Sequence, residues 1–162
     1  MKTYYIDYKD LVRVLRTKKR INIIGPPGSG KTTLCKKIST DLQIKLIKLD
    51  DILFDKHCNL IKNKYQVLLK ALTLEKPCVF DGTYHSLFSK DRIELVDQFV
   101  MIEINFFKTF LRIIKRTIKN EDLACGEKLT FSLIKFLFTY YFYKKNSLEK
   151  RIPKNKLLIY KI

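Results

Sequence analysis

Three of the chain's five glycines fall in one eight-residue window, Gly25-Pro26-Pro27-Gly28-Ser29-Gly30-Lys31-Thr32. Every fixed position of the pattern G-x-x-x-x-G-K-[ST] is met there. Ahead of it the apolar run Ile21-Asn22-Ile23-Ile24 reads as a short buried strand, and Thr33-Leu34-Cys35-Lys36-Lys37-Ile38 behind it reads as helix. A strand that breaks into glycines and restarts as a helix makes a tight loop whose backbone N–H groups converge at a helix N-terminus. Partial positive charge then collects where an anion can approach closely. Strand, glycine loop and helix together form the P-loop unit.

The rest of the chain supports this frame. Short apolar segments alternate with longer amphipathic ones, which predicts an α/β sheet with helices on both faces. Strands are expected near 20–24, 44–49, 78–80, 98–104 and 157–161. Helices are expected near 8–18, from the loop to about 42, and near 60–72, 87–95, 107–119 and 130–143. The 162 residues contain no repeat and no linker rich in Gly, Pro or Ser, so one domain over 1–162 is expected. Residues 1–19 form an N-terminal helical extension in this reading, and 120–128, around Gly126, a lid-like loop.

Composition excludes some classes of protein and leaves others open. Met1 to Arg20 mixes tyrosines, charges and single aliphatics, unlike a signal peptide. The apolar stretch Leu129 to Tyr143 is broken by Lys135 and is too short to span a bilayer. A cytoplasmic protein is therefore expected. Cys35, Cys58, Cys78 and Cys125 form no C-x-x-C pair and read as reduced thiols, with no zinc site. Lys and Arg number 33 against 16 Asp and Glu, a net charge of +17. That balance attracts polyanions in general. The dense clusters Lys18-Lys19-Arg20, Lys144-Lys145 and Lys150-Arg151 also suit solvated helix ends.

The candidate chemistry follows from the P-loop and the acids beyond it. Gly25, Pro26, Pro27, Gly28, Ser29, Gly30, Lys31, Thr32 and Thr33 are expected to cradle a nucleoside triphosphate, with Lys31 reaching its β- and γ-phosphates. The hydroxyl of Thr32 completes a magnesium shell in this scheme. Asp81, ending the third expected strand, is the acid placed to organise the same Mg2+. Asp50-Asp51 end the second strand, where ligands of open α/β sheets bind. Asp50 is the candidate base for an acceptor hydroxyl, while Asp51 also fits as a helix N-cap. Arg112 and Arg116 stand four apart on one helix face. They form either a cationic clamp on a transferring phosphoryl group or a solvated basic face. The aromatic block from Leu129 to Tyr143 reads as core packing or a homodimer contact before a base-stacking platform.

These elements resemble the P-loop kinase group that includes adenylate-kinase-like and shikimate-kinase-like folds. Within it the chain is most similar to topology modulation, or FlaR-type, proteins. The resemblance runs through Gly25–Thr33, Leu49-Asp50-Asp51-Ile52-Leu53-Phe54, Phe80-Asp81-Gly82-Thr83-Tyr84, Arg112-Ile113-Ile114-Lys115-Arg116-Thr117 and Gly126-Glu127-Lys128. It implies a three-layer α/β/α sandwich on a five-stranded parallel sheet of order 2-3-1-4-5, with Arg112 and Arg116 at lid-proximal positions. The loop before Gly126 has Asn120-Glu121-Asp122-Leu123 where the resemblance leads one to expect an arginine. The activity implied is ATP- and Mg2+-dependent phosphoryl transfer to a small acceptor such as a nucleoside, nucleotide or metabolite. The alternatives are an ATP-binding regulator associated with nucleic acid, and a simple ATPase.

Overall fold

The computed structural model describes residues 5–57, 59–73, 76–83, 90–119 and 131–162. Its frame is a parallel sheet of six strands: β1 (Tyr5–Ile6), β2 (Arg20–Ile24), β3 (Lys45–Lys48), β4 (Cys78–Asp81), β5 (Gln98–Glu103) and β6 (Leu157–Lys161). Their spatial order is β1-β6-β5-β2-β4-β3, every pair parallel. Residues 21–24 of β2 and all of β4 are buried, as central strands covered on both faces must be.

The five expected strands are present in the expected order, and the sheet is one strand wider. Tyr5 and Ile6 add to the free edge of β6, opposite Ile159 and Tyr160. Two residues are too few to show a period of two, so this strand exists only because an open edge is there to receive it.

Alternation along the strands divides the core. Ile21, Ile23, Val79, Val100 and Ile102 face one way, against Leu11 and Leu15 of α1 (Tyr8–Leu15) and Leu34, Cys35 and Ile38 of α2 (Lys31–Leu42). Ile24, Cys78, Phe80, Phe99 and Met101 face the other way. They meet α3 (Leu49–Leu53), α4 (Lys64–Leu72), α5 (Lys90–Leu95) and the chain around Tyr140 and Leu148. The result is the three-layer α/β/α sandwich. Cys35 and Cys78 are buried thiols; Cys58 and Cys125 lie outside the described residues.

Two expected boundaries shift. β3 stops at Lys48, so Asp50 and Asp51 lie in the first turn of α3 and do not end a strand. The cap of α3 is Lys48, which excludes the N-cap reading of Asp51; both acids instead lie in the first turn, where the helix dipole favours negative charge. The aromatic segment is α7 (Phe131–Thr139), which runs through a π-helical turn, Tyr140–Lys144, into α8 (Lys145–Arg151). Leu133, Leu137 and Tyr140 of this segment are buried, whereas Phe138 and Phe142 are exposed. α7 packs on α6 (Phe106–Ile118) through Ile113, Leu133 and Leu137. The lid-like loop expected at 120–128 lies outside the described residues.

Candidate nucleotide-binding site

The loop leaves β2 at Gly25 and is held from both sides. Gly25 N–H donates to the Thr83 hydroxyl at 2.9 Å, and that hydroxyl donates to the Gly25 carbonyl at 3.1 Å. Thr83 follows β4, so two adjacent strands clamp the loop entry. Below it, Asn22 sits in an apolar strand and donates its amide to the carbonyls of Phe80 and Gly82, each at 3.3 Å. Ser29 N–H closes the loop on the Pro26 carbonyl at 3.2 Å.

Two glycines are required by geometry. Gly28 has φ +72°, and a Cβ there would lie 2.9 Å from Ile113 Cγ1 and 3.2 Å from the Thr109 carbonyl. The loop can lie against α6 only with hydrogen at that position. Gly30 has φ +93°, and a Cβ there would make only ordinary contacts, 3.9 Å from Arg112 Nη1 and Ile162 Cδ1, so its constraint is the backbone.

Lys31 opens α2 and folds back over the loop, its Nζ donating to the Pro26 carbonyl at 3.0 Å. The ammonium is thereby held above the cradle rather than in bulk solvent. Thr32 Oγ1 donates to Asp81 Oδ2 at 2.6 Å, which places a hydroxyl and a nearly buried carboxylate side by side at the carboxyl end of the sheet. Cys35 lies one turn into α2; burial first, and then the Asp81 charge, push its thiol far up, so it stays protonated. Arg112 extends from α6 over the loop, with Nη1 3.4 Å from the Ser29 carbonyl. Arg116 stands one turn further along α6 and is half-buried. Thr33 is exposed on the first turn of α2.

Asp50 is half-buried in α3 and reaches the same end of the sheet, because Lys48 pairs with Asp81 across β3 and β4. Asp51 points outward and forms a surface pair with Lys48 at 3.8 Å. Thr83 and Asn22 are participants that sequence reasoning left without a role; the signal available for Asn22 was one amide in an otherwise aliphatic strand. Tyr141 is another. Its hydroxyl donates to the Ile104 carbonyl at 3.0 Å and lies 2.8 Å from Thr109 Oγ1, pinning the first turn of the helix that covers Gly28 and carries Arg112.

These residues fit a magnesium-bound triphosphate. Left-handed glycines leave loop amides unshielded, an ammonium lies above them, and a hydroxyl and carboxylate suited to a hard cation stand together. Ser29 Oγ is buried in the loop beside Gly25, without a hydrogen-bond partner among the described residues.

Fold and loop together define an α/β/α protein with a P-loop. Comparison with protein families narrows this: residues 24–125 match the family described as AAA domain, and the chain belongs to that family. Among solved structures it is similar to a shikimate kinase from Acinetobacter baumannii in complex with shikimate (15% identity, 93% of this chain and 86% of the other, TM-score 0.60). It is also similar to a gluconokinase from Sinorhizobium meliloti (13% identity, 90% and 83% covered, TM-score 0.56). A shikimate kinase from Bacteroides thetaiotaomicron gives 18% identity, 87% and 84% covered, and a TM-score of 0.57. At such identities the likeness is one of fold. No curated protein sequence matches the chain. Among the described residues no helix is long and apolar enough to cross a membrane.

Proposed function

We propose that this protein is an ATP- and Mg2+-dependent phosphotransferase acting on a small hydroxyl-bearing acceptor, with residues 1–162 working as one unit. The observation that carries the reading is the Thr32–Asp81 pair at 2.6 Å beside a P-loop covered by Arg112. In this scheme the loop amides and Lys31 hold the β- and γ-phosphates, and Thr32 and Asp81 hold the metal. When bound, Mg2+ would neutralise charge on the phosphates during transfer. Asp50 accepts the proton of the acceptor hydroxyl, and Arg112 and Arg116 offset the charge that develops on the transferring group. Shikimate and gluconate are sensible first acceptors because structures of similar fold are kinases named for them. Nucleosides and nucleoside monophosphates follow.

The test is ATP consumption against that acceptor panel. Lys31→Ala should cost roughly 10²–10³ in kcat, as removal of a preorganised charge donor does, with the thermal melt unchanged. Asp50→Asn should lower kcat far more than it raises the KM for ATP. An active Lys31→Ala protein would end the assignment. The net charge of +17 favours a second reading, an ATP-binding regulator on nucleic acid of the topology modulation type. Duplex DNA binding that survives physiological salt, without turnover on any acceptor, would select that reading.

A further inference from the structure

α6 has three sectors where an ordinary surface helix has two. Thr109 and Ile113 are buried, with Phe106 and Phe110 half-buried beside them against α7. Arg112 and Arg116 lie toward the P-loop side. The remaining sector is an exposed apolar stripe: Phe107, Leu111 and Ile118, at spacings of one and three turns, are 71%, 64% and 76% exposed. The stripe continues onto the neighbouring segment. Phe106 touches Phe107 and Phe138 at ring separations of 5.6 and 4.9 Å, and Phe138 stacks on Phe142, which is 66% exposed.

Among the described residues of α6 and α7, the charged side chains bordering this surface are cations. Lys108, Lys115 and Lys119 flank the stripe on α6, and Lys135 stands beside Phe138 on α7; all four are exposed. Neither helix contains an aspartate or glutamate. We infer that the face formed by Phe107, Leu111, Ile118, Phe138 and Phe142 docks reversibly on an anionic phospholipid bilayer. The rings and aliphatic chains would enter the headgroup boundary while the lysines engage lipid phosphates and carboxylates.

Two other occupants fit less well. A second copy seated by two-fold symmetry would bring two such lysine borders together, each on a chain of net charge +17. Single-stranded nucleic acid would use the phenylalanines as stacking platforms, but Leu111 and Ile118 have no π-face to offer. A mixed aliphatic and aromatic stripe edged by lysine suits a lipid interface.

The chain has no tryptophan, so Phe142→Trp supplies a single reporter. With vesicles of equimolar phosphatidylcholine and phosphatidylserine, its emission should shift to the blue and be quenched by brominated lipid. Vesicles of phosphatidylcholine alone should leave it unchanged. In co-sedimentation, Phe107→Ser with Phe138→Ser should weaken binding to the anionic vesicles by about tenfold or more, with an unaltered circular dichroism spectrum. No binding to anionic vesicles would overturn the proposal. So would equal binding by the double variant, which would leave only diffuse attraction by a basic protein. A dimer in sedimentation equilibrium that the double variant abolishes would assign the face to a second copy. Oligonucleotide binding lost in the same variant would assign it to nucleic acid.

Discussion

The contact between Gly28 and α6 gives the strongest test of how the loop is built. In Gly28→Ala the new Cβ pays twice. The left-handed backbone at φ +72° costs an L-residue about 1–2 kcal/mol. A methyl 2.9 Å from Ile113 Cγ1 and 3.2 Å from the Thr109 carbonyl must also push α6 away, an overpacking cost of about 1–3 kcal/mol. Gly30→Ala is the matched control. Its φ of +93° is harder still for alanine, yet its nearest neighbours are 3.9 Å away. Gly28→Ala should therefore be the less stable of the two in urea titration, by at most the overpacking cost of about 1–3 kcal/mol less the extra backbone strain at Gly30. In a domain of this size that corresponds to a melting-temperature gap of roughly 2–4 °C per kcal/mol. Displacement of α6 also draws Arg112 from the Ser29 carbonyl, so Gly28→Ala should lose the larger share of any turnover. Equal stabilities, or a less stable Gly30→Ala, would refute the claim that α6 packing dictates glycine at position 28.

Three further outcomes are expected. Thr32→Val strips the partner from the nearly buried Asp81 carboxylate and should destabilise the fold by about 1–3 kcal/mol in urea titration, while also weakening Mg2+-dependent nucleotide binding. Tyr141→Phe removes the hydroxyl that ties the Ile104 carbonyl to Thr109; it should cost about 1–2 kcal/mol and raise hydrogen exchange in the first turn of α6 before other helices respond. Glu103 is held below the ordinary carboxylate range: its partial burial opposes this, but hydrogen bonds from Lys145 and Tyr5 prevail. A depressed folded value means its stabilisation is present above the unfolded pKa of about 4.3 and is lost as pH falls through the folded value. The gap in urea midpoint between wild type and Glu103→Gln should accordingly be widest near neutral pH and close in acid; a constant gap would refute the linkage.

Much of the candidate site was legible because its parts are local or sit at marked ends. Lys31 and Thr32 follow the glycine pattern directly, and Asp81 is recognisable as the acid that stops a wholly apolar strand. The spacing of Arg112 and Arg116 announces one helix face. That spacing cannot say which arginine approaches the loop, since the answer depends on the angle at which α6 crosses Gly28. Asp50 was read at a strand end and lies in a helix turn; the apolar run around it is compatible with either until β3 has found its partner β4.

The order of glycines, lysine and threonine, together with the alternation of apolar and amphipathic segments, was enough to predict an α/β sheet with helices on both faces and a candidate anion cradle where its first expected strand ends. These are short-range matters of sterics and burial, settled within a few residues of chain. Tertiary structure decided the sixth strand and the Tyr141 clamp, whose partners Tyr141 and Ile104 stand 37 positions apart. It also decided which apolar side chains of α6 are core and which face outward. A hydrophobic residue carries the same driving force to be buried wherever it stands, and only the packing of α7 beside it determines whether a partner is there to bury it.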